Sequence, residues 1–280
     1  MTYPKIELHV HLEGAVSPDA LIAAATRNGW ELPASTPAEL ADFMRFRDFE
    51  HFMKAWFATT PALSTERDYR ELVVDYARQA RAQGAVYVEA IFSPTDKLPQ
   101  GVSLDTCFEG FCDGAAQARE EVGIEVRLTP DVTRGLADLD TAKRVAEYAV
   151  RYRDRGAVGL GLGGPEDGNP PEPYAEAFAI ARDGGIASVP HAGETGGPES
   201  VRGALEAPGA DRIRHGVAAV DDPDLLADLA ERQIVCDVCV LSNVRLGVAR
   251  SVEEHPLPKL LAAGVPCTIT TPAPASSSCV

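Results

Sequence analysis

The side chains best suited to chemistry in this sequence are histidines with carboxylates close by. Glu7-Leu8-His9-Val10-His11-Leu12-Glu13-Gly14 sets two imidazoles two residues apart. On a strand that spacing points both rings to one face, where they either share a metal ion or form a hydrogen-bonded polar pair. A third imidazole opens His191-Ala192-Gly193-Glu194, with a carboxylate three residues on and a glycine that lets the backbone turn tightly. His215-Gly216 repeats the pattern. Three neutral imidazoles suit Zn2+, and an open fourth position would hold a water whose pKa falls to about 7, which is a nucleophile at neutral pH. His51 and His255 fall outside these patterns and read as structural or surface histidines.

Residues so far apart in the chain need a scaffold that gathers them. Short apolar or β-branched runs, each followed by a helical pattern, recur at 5–10, 85–92, 124–129, 157–162, 186–191, 212–215, 234–238 and 265–269. Such alternation predicts an α/β fold of the (β/α)8 TIM-barrel type, a single domain over 1–280 with its reactive groups at the C-terminal strand ends. His9 and His11 close the first run, His191 the fifth and His215 the sixth, which is where a barrel places catalysis. A helix is expected over 65–83, where Tyr69, Leu72, Val73, Tyr76 and Ala80 are spaced by three and four, and another over 19–28 behind Ser17 as N-cap and Pro18. A helical insert at about 36–64 precedes the second strand and is placed to cover the barrel mouth. Its Phe43, Phe46, Phe49 and Trp56 are either a wall for a planar ligand or core packing.

Composition narrows the partners. Lys and Arg number 26 against 42 Asp and Glu, a formal net charge of -16 that repels phosphate backbones and anionic lipid. Nucleic acid and membrane are therefore not expected as partners, and with no signal-peptide pattern at the start a cytoplasmic location is expected. The cysteines at 107, 112, 236, 239, 267 and 279 are too sparse for a disulfide framework. Cys236 and Cys239 sit in a strand-like run and read as core thiols rather than metal ligands. Gly159-Leu160-Gly161-Leu162-Gly163-Gly164 lacks the Lys-Ser or Lys-Thr of a phosphate-binding loop.

The opening H-x-H-L-E-G-A, the central H-A-G-E, the R-I-x-H-G segment and the C-V-L-S-N-V run together resemble the adenosine deaminase family over about residues 4–269. The resemblance implies a zinc-dependent purine aminohydrolase acting on adenosine or a modified adenosine such as aminodeoxyfutalosine, with adenine as the alternative and a small purine nucleoside or base as partner. By the same resemblance His9, His11 and His191 would ligate zinc. Glu194 would protonate the purine ring nitrogen N1, and His215 would orient or deprotonate the attacking water. Glu13 would bind substrate at the position where adenosine deaminases proper carry an Asp on the ribose 5′-hydroxyl, a Glu there being more like the adenine and aminodeoxyfutalosine deaminases of the family, and the Gly164 N–H would contact purine N3. Ring attack needs that proton donor, because negative charge builds on the ring nitrogen. The resemblance also implies paired aspartates followed by proline at the end of strand eight, the first a zinc ligand, and closing helices beyond them. Residues 265–280 contain no aspartate, and the tail from 270 to 280 is rich in Thr, Pro, Ala and Ser, as a shifted reading frame in a GC-rich gene would leave it. Weakened zinc binding and turnover, or a zinc- and purine-binding pseudoenzyme, are the expectations that follow.

Overall fold

The computed structural model describes residues 3–46 and 48–270, so the expectations for the tail beyond Thr270 lie outside the described residues, as does the side chain of Phe49. All strand pairings are parallel. β1 (Lys5–His11), β2 (Ala85–Phe92), β3 (Glu125–Thr133), β4 (Gly159–Gly163) and β5 (Ala187–Ser188) pair in that order. β6 (His191–Ala192), β7 (Arg212–His215), β8 (Val235–Val238) and β9 (Cys267–Ile269) complete the barrel wall.

The fifth expected strand, 186–191, is interrupted where Pro190 brings no N–H to the ladder. Main-chain bonds carry the wall across the gap nonetheless: Val189 donates to Leu160 O at 2.9 Å, and Arg214 donates to Pro190 O at 3.0 Å. β3 runs four residues beyond its expected end at Thr129, which brings Asp131 and Thr133 to the barrel mouth.

Helices follow the strands and cover them. α1 (Pro18–Asn28) starts where Ser17 Oγ accepts the Ala20 N–H and stops at Gly29 in the left-handed region. α2 (Pro37–Phe43) and α3 (Phe49–Thr59) form the insert. α4 (Glu66–Ala82) opens with a capping box between Thr65 and Asp68 and buries Tyr69, Leu72, Val73, Tyr76 and Ala80. α5 (Leu104–Val122) packs beside it, Phe111 stacking on Tyr69 and on Phe92 of β2. The outer layer continues with α6 (Leu139–Arg151), α7 (Ala175–Asp183), α8 (Pro198–Glu206) and α9 (Pro223–Glu231), then the short α10 (Val240–Arg245) and α11 (Leu257–Ala262). Among the described residues no helix is long and apolar enough to cross a membrane.

Candidate active site

His9, His11 and His191 meet at the mouth, and their ligand-capable atoms all lie within 4.8 Å of one another. His191 Nε2 stands 3.1 Å from Nε2 of both His9 and His11. The other nitrogens explain what these contacts are. His9 Nδ1 lies 3.0 Å from Asp237 O and His191 Nδ1 lies 3.2 Å from Leu162 O. A carbonyl only accepts, so each Nδ1 carries the proton and each Nε2 a lone pair. Burial, first of all, keeps both rings well below the ordinary histidine pKa, and neighbouring charge lowers them further. Lone pairs facing one another without a shared proton repel unless a cation lies between them, so the donor set fits a metal ion. Two nitrogens on one tetrahedral zinc are about 3.3 Å apart.

Glu194 and His215 complete the reacting corner. The Glu194 carboxyl is pushed up to about 8 by burial and then by the nearby Glu166 carboxylate, so it is protonated at neutral pH. Its Oε1 has no hydrogen-bond partner among the described residues and lies 3.3 Å from His215 Nε2. His215 is lowered to about 4, chiefly by burial, and its φ of 69° puts a bulky side chain in the left-handed region. That backbone costs on the order of 1–3 kcal/mol and aims the ring at the cleft instead of along the strand.

Glu166 holds this corner together. Its carboxylate accepts the N–H groups of Gly193, Glu194 and Thr195 at 2.7, 2.8 and 2.8 Å and also bonds the Ser200 hydroxyl. Burial would raise Glu166, but the Ser200 hydroxyl, the Arg134 charge and main-chain N–H groups hold it below the usual carboxylate range. One ionised carboxylate thus fixes the loop that carries the neutral one.

The cleft over the histidines is lined by Phe52, Met53 and Trp56 of α3, by Ser93, Asp96, Asp131 and Thr133, and by Gly163 and Gly164. Gly164 stands at the rim with φ +85°, and a Cβ there would meet Arg134 O at 3.2 Å, so a side chain has no room. Asp96 accepts from Trp56 Nε1 at 2.9 Å and from Thr133 Oγ1 at 2.6 Å, tying the insert to the barrel. Phe46 packs with Phe52, Trp56 and Leu246, while Phe43 lies against the main core. Glu13 is buried beside the cleft residue Ser93, and its Oε1 accepts the Ser93 N–H at 2.8 Å. Burial pushes its carboxyl up to about 7 against the pull of Lys97.

The glycines of β4 have a packing cause. A Cβ on Gly161 would lie 1.8 Å from Asp131 Oδ1, in the space taken by the buried Asp131–Arg214 pair. Cys236 and Cys239 are both buried free thiols, as expected, and Cys239 Sγ lies 3.3 Å from His9 Nδ1. His255 is a structural histidine, one of the two alternatives the sequence left for it. It is buried, and its Nε2 lies 3.0 Å from Asn243 Oδ1. Sequence reasoning assigned no role to Glu166, Asp131, Asp96 or Asn243; the local hints were an acidic residue two places after the Gly163-Gly164 pair and the C-V-L-S-N-V run that contains Asn243.

The profile of the family described as adenosine deaminase matches residues 4–279. This chain belongs to the adenosine deaminase family. Membership makes it a hydrolytic purine deaminase. It is 49% identical over 279 residues to the aminodeoxyfutalosine deaminase of Acidothermus cellulolyticus, covering 97% of this chain and 78% of that one. With the adenine deaminase of Cupriavidus necator it shares 39% over 272 residues, 97% of this chain and 77% of that one. Among solved structures, an adenine deaminase from Arthrobacter aurescens superposes with a TM-score of 0.90 at 32% identity, over 98% of this chain and 84% of that one. An amidohydrolase from Burkhoderia ambifaria with bound zinc superposes with a TM-score of 0.86 at 27% identity, over 99% and 77%.

Proposed function

We propose that this chain uses zinc held by His9, His11 and His191 to replace the 6-amino group of a purine nucleoside by oxygen, releasing ammonia. The observation that carries the reading is the buried Glu194 carboxyl, pushed up to about 8 by its surroundings, on the same cleft as the grouped imidazoles of His9, His11 and His191. Zinc in that position supplies a Lewis acid that acidifies a neighbouring water. Glu194 holds a proton at Oε for purine N1, where negative charge builds as oxygen adds to C6. His215 borders the same space and orients the incoming oxygen. Trp56, Phe52 and Met53 shield one side of the cleft from water and offer an apolar surface to the base. Gly164, which has no side chain to bar approach, lets its backbone come close to the purine edge. Glu13 acts on the substrate through the Ser93 segment it holds. The identity to a named aminodeoxyfutalosine deaminase supports a nucleoside modified beyond the ribose as substrate. Free adenine is the competing substrate, supported by the relatives named for it.

The test is ammonia release from aminodeoxyfutalosine, adenosine and adenine by the zinc-supplied chain, with metal analysis on the same sample. Turnover of a nucleoside ahead of adenine, with about one zinc per chain, is expected. Adenine consumed fastest would replace the nucleoside by the base. Zinc retained with no ammonia from any of the three would leave a binding protein.

A further inference from the structure

His215 is tied to two buried residues that the reaction does not touch. Its Nδ1 lies 3.1 Å from Asn243 Nδ2. Asn243 Oδ1 lies 3.0 Å from His255 Nε2, and His255 Nδ1 accepts the Leu257 N–H at 3.0 Å. Asn243 is fully buried on α10, and His255 just before α11 is 4% exposed, so water does not compete for these bonds.

The direction of the chain of bonds is set at one end. Leu257 N–H is a main-chain donor at the first turn of a helix, where it has no intrahelical partner and cannot accept. His255 Nδ1 must therefore be the acceptor, and His255 Nε2 carries the ring proton. That proton goes to Asn243 Oδ1, so the Asn243 amide N–H points at His215 Nδ1. The reverse amide orientation fails, because it would require both nitrogens of His255 to accept, which only an imidazolate does. With Nδ1 already accepting, neutral His215 has its proton on Nε2, the atom facing Glu194 and the cleft.

We infer that Asn243 and His255 are positioning residues that lock His215 in the Nε2–H tautomer, so that it meets the attacking oxygen as a hydrogen-bond donor and not as the base. The effect on rate rests on the deaminase reading, whereas the tautomer does not. The arrangement also accounts for the left-handed backbone at His215: Gly216 follows it, and Asn243 holds the ring in the position which that backbone creates.

The tautomer is read directly from two-bond 1H–15N correlations of the zinc-loaded chain labelled at histidine, with His215→Gln used to locate the His215 signals. A protonated Nε2 and bare Nδ1 are expected in the parent. Asn243→Asp should reverse the pattern, because a carboxylate only accepts and so draws the His215 proton to Nδ1. Turnover on the nucleoside substrate is followed in parallel. His255→Ala is expected to lower kcat about tenfold with KM changed less than about twofold, as loss of an orienting group does. His255→Gln should restore most of it, since its amide donates to Asn243 in place of Nε2. Nδ1–H at His215 in the parent overturns the inference, and so does an unchanged pattern in Asn243→Asp that melts and binds zinc like the parent. The parent spectrum needs no substitution, so a variant that fails to fold does not leave the tautomer unread. A chain that deaminates nothing but shows Nε2–H would sink the proposed function and spare this inference.

Discussion

The histidine corner and the cleft wall opposite it are held in different ways. In the corner, main-chain carbonyls of the barrel itself, Asp237 O and Leu162 O, orient His9 and His191, and Glu166 gathers the loop bearing Glu194 through three main-chain N–H groups. The wall is made of side chains on a helical insert, Phe52, Met53 and Trp56, joined to the barrel through Asp96 and Thr133. The orientation of His9 and His191 by main-chain carbonyls does not depend on which side chains surround them, whereas the wall consists of side chains and changes directly with them.

Removing a corner ligand should break the comparison most severely. His191→Ala is expected to lose stoichiometric zinc and all measurable turnover, because the two remaining imidazoles leave the ion held on one side only; metal analysis after dialysis decides it. Glu194→Gln comes next, with kcat down about 100-fold or more and zinc content unchanged, as befits loss of a general acid. Turnover within tenfold of the parent would remove Glu194 from that role.

Beneath the corner, Gly161→Ala forces a methyl group into the space of Asp131 and Arg214, and overpacking of this kind costs about 1–3 kcal/mol. Thermal melting should show the loss, and an unchanged melting temperature would mean that the buried pair has room to move.

The pH dependence sharpens the same contrast. Glu194 carries its proton below about 8, so kcat/KM should be level beneath that pH and fall about tenfold per unit above it. Because the folded pKa lies above the ordinary value of 4.5, the linked stability is complete below pH 4.5 and is lost as pH rises through about 8. In Glu194→Gln that part of the pH-dependent stability should vanish while the wall is untouched.

Trp56→Leu is the mildest change. KM is expected to rise about threefold to tenfold through lost apolar contact and the loss of the indole bond to Asp96, with zinc and kcat close to the parent values. A collapse of kcat instead would show that the wall helps align the corner.

Short-range regularities in the chain carried the barrel and the three-histidine group. Two histidines at the period of a strand, repeated runs of apolar residues and helix starts such as Ser17-Pro18 and Thr65 are local patterns, and the structure forms each of them in place. The fifth strand departed because Pro190 removes one donor, an effect too small to change the apolar pattern but enough to interrupt the ladder. The Ser93 N–H that takes the Glu13 carboxylate lies 80 residues away along the chain, a partner that no local pattern points to.

The sequence by itself determined which residues supply lone pairs, and that a carboxylate would stand three places beyond the third of them. What only the tertiary structure decided is the charge state and direction of those groups. Glu194 is neutral because folding buries it beside Glu166, and His215 presents a proton because Asn243 and His255 come against its far side. Burial and hydrogen-bond direction depend on what surrounds a group in space, and neither is encoded in the residues next to it in the chain.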